Sequence, residues 1–169
     1  IPNYTWSKVP EDIHERVVGR TAADLMWNDS LGAGVQMALF DAVGKKLGVP
    51  AHRLLGNQVR EWCPLSWWAM DMPSQDWARQ CSDAVEAGYT TAKLKARTWY
   101  DLHEAIRAIT EVVPYHFKLD LDFNGTLGNA ASAVEFLSTL EQYEQIAMIE
   151  TPIPQGDVSV NAQIRNRIS

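Results

Sequence analysis

The sequence predicts an α/β fold of repeated strand–helix units, about the first half of a (β/α) barrel, with a helical segment ahead of it. Three observations carry this. Four short apolar runs centre near residues 66, 93, 119 and 148, so they recur every 27, 26 and 29 residues. Each interval holds one helix-length segment, and units of that length mean crossover connections and a parallel sheet. Polar residues then collect at the C-terminal ends of three runs, where barrel enzymes keep their chemistry. No Gly-rich turn of the G-x-G-x-x-G or Walker kind follows any run, which weighs against a doubly wound nucleotide-binding sheet.

Residues 1–60 read as helical. Val9-Pro10-Glu11-Asp12 places a proline and two acids where a helix begins, and Ile13, Val17 and Val18 follow at helical spacing. Asp29 or Ser30 can cap a second helix with an apolar stripe through Val35, Leu39, Val43 and Leu47. Gly48-Val49-Pro50 punctuates its end, and a short stretch from Ala51 to Leu55 stops at Gly56-Asn57. From residue 61 the rhythm changes. Cys63–Ala69 reads as a strand and Pro73–Ala87 as a helix capped by Ser74 and stopped by Gly88. Thr90–Lys95 is a strand, Tyr100–Val113 a helix, His116–Asp122 a strand and Asn129–Gln142 a helix. Ile146–Glu150 is the fourth strand, and a helix begins at Asp157. Two domains are therefore expected, residues 1–60 and 61–169.

Composition narrows the function classes. The 169 residues are 46% apolar and 21% charged, with seven Trp, which is enough to bury a core and excludes disorder. No apolar stretch nears the roughly 18 residues of a membrane helix. A net charge of −6 without a basic block argues against nucleic acid. Two cysteines, Cys63 and Cys81, make no disulfide framework; both read as buried structural thiols, and a reducing, cytoplasmic setting is expected. The opening Ile-Pro-Asn-Tyr-Thr-Trp has neither initiator Met nor signal-peptide character. Four units would leave sheet edges open, so the chain reads as the middle of a longer protein.

The chemistry-bearing residues sit at strand ends. Lys93 and Lys95 are i and i+2 on one strand and point the same way. Two ammonium groups so close disfavour each other's charge, so at least one pKa is expected to fall, giving a usable general base. Asp122 and Glu150 close the next two strands and converge on the same mouth, and oxygen ligands with room for water suit Mg²⁺. Asn124 can support the metal or a substrate oxygen, and Asp120 competes with Asp122 because it shares a face with it. Each feature has a plainer reading by itself: solvated lysines, a turn after a strand, a strand stopped by Pro152. Two lysines and two acids on three successive strand ends are much harder to explain as turns.

Lys93-Leu94-Lys95, Asp122-Phe123-Asn124 and Glu150-Thr151-Pro152 resemble the strand-end motifs of the enolase superfamily, in particular its mandelate racemase / muconate lactonizing enzyme group. Residues 36–56, ending in Leu54-Leu55-Gly56, are similar to the helix and turn that lead into that group's barrel. The resemblance implies that residues 1–60 are the helical part of an α+β capping domain. It implies Mg²⁺ held by three carboxylates on consecutive strands, with Asp122 and Glu150 the first two. It further implies a small carboxylate-bearing substrate that loses its α-proton to Lys95 and passes through an enediolate, with Lys93 helping to neutralise the carboxylate. The outcome would be dehydration of an acid sugar, racemisation or cycloisomerisation, in a homo-oligomer. The third metal ligand and the second acid/base group belong to strands after residue 169, and Thr151 stands where many members carry an acid or amide.

Trp67, Trp68, Met70 and Asp71 can wall a substrate pocket or simply pack. Arg97 and Trp99 are loop residues within reach of a substrate. His103 reads as solvated and His116 as structural, and no histidine has zinc spacing. Two rival readings stay open: a catalytically incomplete half barrel that pairs with another copy or another half, and an anion-binding α/β domain whose lysines hold phosphate.

Overall fold

The computed structural model describes residues 11–168. The described residues divide into two compact units, the first ending at Cys63 and the second beginning at Pro64. The expected helix start at Val9-Pro10 lies outside the described residues.

Among the described residues the first unit contains the helices α1 (Ile13–Val17), α2 (Ala22–Leu25), α3 (Ala33–Leu47) and α4 (His52–Leu55), with a 3₁₀ turn at Asp29–Leu31. Leu25, Leu31 and Leu39 form its buried centre, with Ile13, Val17 and Val35 packed against them. Neither Asp29 nor Ser30 caps α3. Asn28 instead accepts from the Ser30 backbone N–H at 3.1 Å and caps the 3₁₀ turn, and α3 starts after Gly32 without a side-chain cap. The stripe of α3 is shorter than expected, for Leu47 is 62% exposed. Gly48 does end the helix, at φ +69, and its N–H reaches back to the Gly44 and Lys45 carbonyls. Val18 lies past α1 in extended backbone and is exposed.

The second unit alternates strand and helix throughout: β1 (Trp67–Ala69), α5 (Ser74–Glu86), β2 (Thr91–Leu94), α6 (Leu102–Thr110), β3 (Lys118–Asp122), α7 (Ala130–Leu140), β4 (Ile146–Glu150) and α8 (Val158–Arg165). All three strand pairs are parallel, in the order β1-β2-β3-β4. One face of the sheet meets the helices. Ala92, Leu94, Leu119 and Leu121 on that face are fully buried against Trp77, Cys81, Ile106, Ile109, Phe117 and Leu137. The Leu, Ile and Phe side chains among them contribute roughly 1.5–3 kcal/mol each on leaving water, and this core fixes the sheet. The opposite face carries Trp68, Lys93, Asp120 and Met148 in one row across four strands. Met148 is 47% exposed and Trp68 56%.

Element ends differ from expectation for local reasons. β1 begins at Trp67 instead of Cys63 because Pro64 has no N–H to give a ladder. Cys63 is exposed, whereas Cys81 is buried in the core as expected. Asp101, Asn129 and Asp157 cap α6, α7 and α8 by accepting from the backbone N–H of Glu104, Ser132 and Val160. Pro73 precedes α5, and Ser74 is its first helical residue with no capping bond. His103 is half-buried instead of fully solvated: its two ring nitrogens meet Thr139 Oγ1 on α7 at 3.1 Å and Tyr143 Oη, just past α7, at 2.9 Å. Among the described residues no helix is long and apolar enough to cross a membrane.

Candidate active site

The C-terminal ends of the strands are stitched by backbone bonds before any side chain acts. Lys95 N donates to the Ala69 carbonyl at 3.3 Å and Phe123 N to that of Glu150 at 3.0 Å. Gly125 N donates to the Thr151 carbonyl at 2.7 Å. Gly125 lies at φ +79, a left-handed conformation that glycine adopts without the strain a side chain would bring, and the β3 loop there packs against Pro154 of the β4 loop.

On this frame the structure brings together Lys93, Lys95, Asp122 and Glu150. Asp122 and Glu150 are direct partners in the β3–β4 register. Lys95 Nζ donates to Asp122 Oδ2 at 2.6 Å. Lys93 bridges the carboxylates, bonded to Glu150 Oε2 and 3.4 Å from Asp122 Oδ2. Lys95 lies one residue past β2, so its alignment with Lys93 rests on the pleat continuing beyond the strand. Asn124 joins from the loop at φ +48, with its backbone N–H 3.0 Å from Asp122 Oδ1 and Nδ2 3.2 Å from Oδ2.

The electrostatics follow from these contacts. Burial pushes the Asp122 carboxyl upward, but the Lys95 bond, the Asn124 N–H and the two ammonium charges outweigh it and hold it below the usual range. Burial alone would push Lys93 down. The bond to Glu150 and the charges of Asp122 and Glu150 instead hold it above an ordinary lysine. The expected fall is therefore reversed at Lys93, because the bond to Glu150 and the charges of two carboxylates outweigh its burial. Asp120 is pushed up by burial and by Glu150, against a bond from Ser66 Oγ at 3.3 Å and the Lys93 charge.

The residues proposed as a pocket wall separate. Trp68 shares the open face with Lys93, but Trp67 points to the helices, packing edge-on to Tyr89 and donating to Gln80 Oε1 at 3.1 Å. Adjacent strand residues face opposite ways, so both could not have lined one pocket. Asp71 is turned to Arg97, its Oδ2 3.4 Å from Nε. Arg97 itself is folded inward instead of reaching out, while Trp99 is 64% exposed. Ser66 was not singled out by sequence; continuing the alternation back two residues from Trp68 places it on the same face as Asp120.

The donor set at this mouth suits a hard cation. Lys93 already places positive charge between two adjacent carboxylates, and Mg²⁺ takes one or two carboxylates while keeping water. Asp122 and Glu150 are a partial set: among the described residues no group of three or more His, Cys, Asp or Glu gathers to hold a metal.

A strand-end site on a parallel α/β half barrel invites comparison with known families. The family model described as "Enolase C-terminal domain-like" matches residues 76–169, more than half of the chain. The chain belongs to the enolase superfamily. Within the enolase superfamily it falls in the mandelate racemase / muconate lactonizing enzyme family. An N-succinyl-L-Arg/Lys racemase of Bacillus cereus is 27% identical over 152 residues, covering 85% of this chain and 40% of the racemase. A D-galactonate dehydratase of Verminephrobacter eiseniae is 34% identical over 134 residues, covering 72% of this chain and 34% of the dehydratase. A Bradyrhizobium enolase solved with magnesium and mandelic acid superposes with a TM-score of 0.71 at 27% identity, over 94% of this chain and 48% of that one. The chain thus spans less than half the length of these superfamily relatives.

Proposed function

We propose that this chain supplies one half of an active site that removes a proton α to a carboxylate, in a Mg²⁺-dependent reaction through an enediolate. The observation that carries the reading is the cluster of Lys93, Lys95, Asp122 and Glu150 on three successive strand ends. Asp122 and Glu150 would hold the metal, which supplies divalent charge for the substrate oxygens as negative charge builds on them. Asn124 keeps Asp122 aimed by bonding both of its oxygens. Lys93 neutralises the substrate carboxylate. Lys95, on the same mouth, would take the α-proton on its face of the carbon. The first unit is the helical part of a capping domain, and the substrate is a small carboxylate-bearing molecule.

Racemisation, epimerisation, cycloisomerisation and dehydration of an acid sugar share this first step, and the names of the relatives span racemase and dehydratase. The test is exchange of the α-proton for deuterium, followed by NMR in D₂O with the full chain and Mg²⁺. The panel takes acid sugars, 2-hydroxy acids and N-succinyl amino acids. Exchange is expected for one class, is lost with EDTA, and is lost in Lys95→Ala. Exchange that survives Lys95→Ala removes Lys95 as the base.

A further inference from the structure

Arg97 lies three residues past β2, and its side chain is only 12% exposed. A guanidinium brought that far out of water needs acceptors for its N–H groups. Nη1 donates to the Ala96 carbonyl at 2.7 Å and to the Asp122 carbonyl at 3.0 Å. Nη2 donates to Asn124 Oδ1 at 3.0 Å, Nε lies 3.4 Å from Asp71 Oδ2, and the group sits 5.9 Å from the Trp99 ring centroid. Asp71 follows β1, Ala96 follows β2, Asp122 ends β3 and Asn124 follows it. One side chain therefore ties three consecutive strand ends.

The direction of influence comes from the chemistry of Asn124. Its amide has one oxygen that accepts and one nitrogen that donates, while a guanidinium only donates. The oxygen must therefore face Arg97, and this turns Nδ2 onto Asp122 Oδ2, where it lies at 3.2 Å. Without Arg97 the amide is free to turn over and set its oxygen against the carboxylate, acceptor against acceptor.

We infer that Arg97 is a positioning residue: acting through Asn124, it fixes the orientation of the Asp122 carboxylate at the mouth. The consequence for cation binding rests on the function proposed above; the consequence for Asn124 does not.

The test uses the full chain without substrate, with Mn²⁺ affinity from titration calorimetry and the Asn124 side-chain amide in ¹H–¹⁵N spectra, assigned by its loss in Asn124→Asp. Arg97→Met is expected to shift the Asn124 amide pair and weaken Mn²⁺ about tenfold, the usual effect of losing a partner behind a ligand. Arg97→Lys is expected to be as weak, because one ammonium cannot span the three strand ends. Added guanidinium ion restores affinity to Arg97→Ala, and equal NaCl does not. Leu140→Ala, in the core at the far end of α7, lowers the melting temperature and leaves affinity unchanged. Unchanged amide signals in Arg97→Met, or full affinity in Arg97→Lys, overturn the inference. If the wild-type chain binds no Mn²⁺, the metal reading falls, and the amide signals alone decide the role of Arg97.

Discussion

Replacing Asp122 by Asn keeps the shape of the side chain and removes its charge, so it isolates the electrostatics of the mouth. Asp122 is 1% exposed, with Lys95 Nζ at 2.6 Å and Lys93 Nζ at 3.4 Å. Hydrogen bonds to charged groups contribute roughly 1.5–3 kcal/mol each, so losing both sets an upper bound of about 3–6 kcal/mol. Three effects reduce it. The lysine side chains keep 19% and 27% exposure and can swing into water. Lys93 keeps Glu150. The burial that opposes the Asp122 charge no longer opposes anything. A net loss of about 2 kcal/mol remains. At a urea dependence of about 1–3 kcal/mol per molar, the midpoint falls by about 1 M with an unchanged slope. Tryptophan fluorescence in EDTA reads this directly. On a Lys95→Met background the same change is expected to cost less than about half as much, since the stronger partner is already gone. A midpoint that stays or rises in Asp122→Asn would refute the reasoning, showing that desolvation outweighs both ion pairs.

Other consequences are local. Asp122 has its carboxyl held below its ordinary 3.8, so its contribution is present above that value and disappears as pH falls through the lower folded one. Lys93 is held above its ordinary 10.5, so its contribution is present below 10.5 and disappears as pH rises through the higher folded one. Urea midpoints in EDTA should therefore drop at both extremes, and an alkaline drop unchanged by Lys93→Met contradicts the assignment. The Cys81 thiol is fully buried and pushed up to about 12, so alkylation at pH 8 mapped by peptide mass spectrometry should find it modified only after unfolding. Gly44→Ala gains about 1 kcal/mol of helix propensity, but its Cβ would lie 2.7 Å from the Val49 carbonyl oxygen. The clash costs about 1–3 kcal/mol, so a lower melting temperature is expected, and a higher one shows that the loop yields.

The regular recurrence of apolar runs made the strand–helix order legible, because each unit buries its own face against the next and so writes its period into the sequence. Ends were less legible because single groups set them: the missing N–H of Pro64, the carboxylate of Asp101. The meeting of Lys93, Asp122 and Glu150 could be read from strand ends alone. The separation of Trp67 from Trp68 was equally readable, given that neighbours on a strand face opposite ways, and grouping them ignored that period. Arg97 was not readable in this way. It leaves a loop, where no period sets direction, and its acceptors come from segments near residues 71, 96 and 124 whose approach depends on sheet register.

Register also explains why Glu150 faces the mouth. Leu119 pairs with Ile146, yet Asp120 pairs with Met148, so β4 holds one extra residue between those rungs. Ile146 and Ile149 both pack on the helix-side core although they are three apart, a spacing that strict alternation would put on opposite faces. An extra residue at Ala147, a bulge uncommon in parallel pairs, reconciles them and carries Met148 and Glu150 to the open face. Without that residue counted, pairing from Ile146 upward would set Ile149 beside Asp122 and turn Glu150 into the helices. Deleting Ala147 is therefore expected to spare the site: Ile146 stays opposite Leu119, and Glu150 stays opposite Asp122 on a now regular ladder. Mn²⁺ affinity should change by no more than about threefold, under ~0.7 kcal/mol. Inserting a second alanine beside Ala147 forces either Ile146 off the core or Glu150 off the mouth, and should cost either stability or affinity. If the deletion abolishes Mn²⁺ binding while the insertion is tolerated, the bulge does not place Glu150.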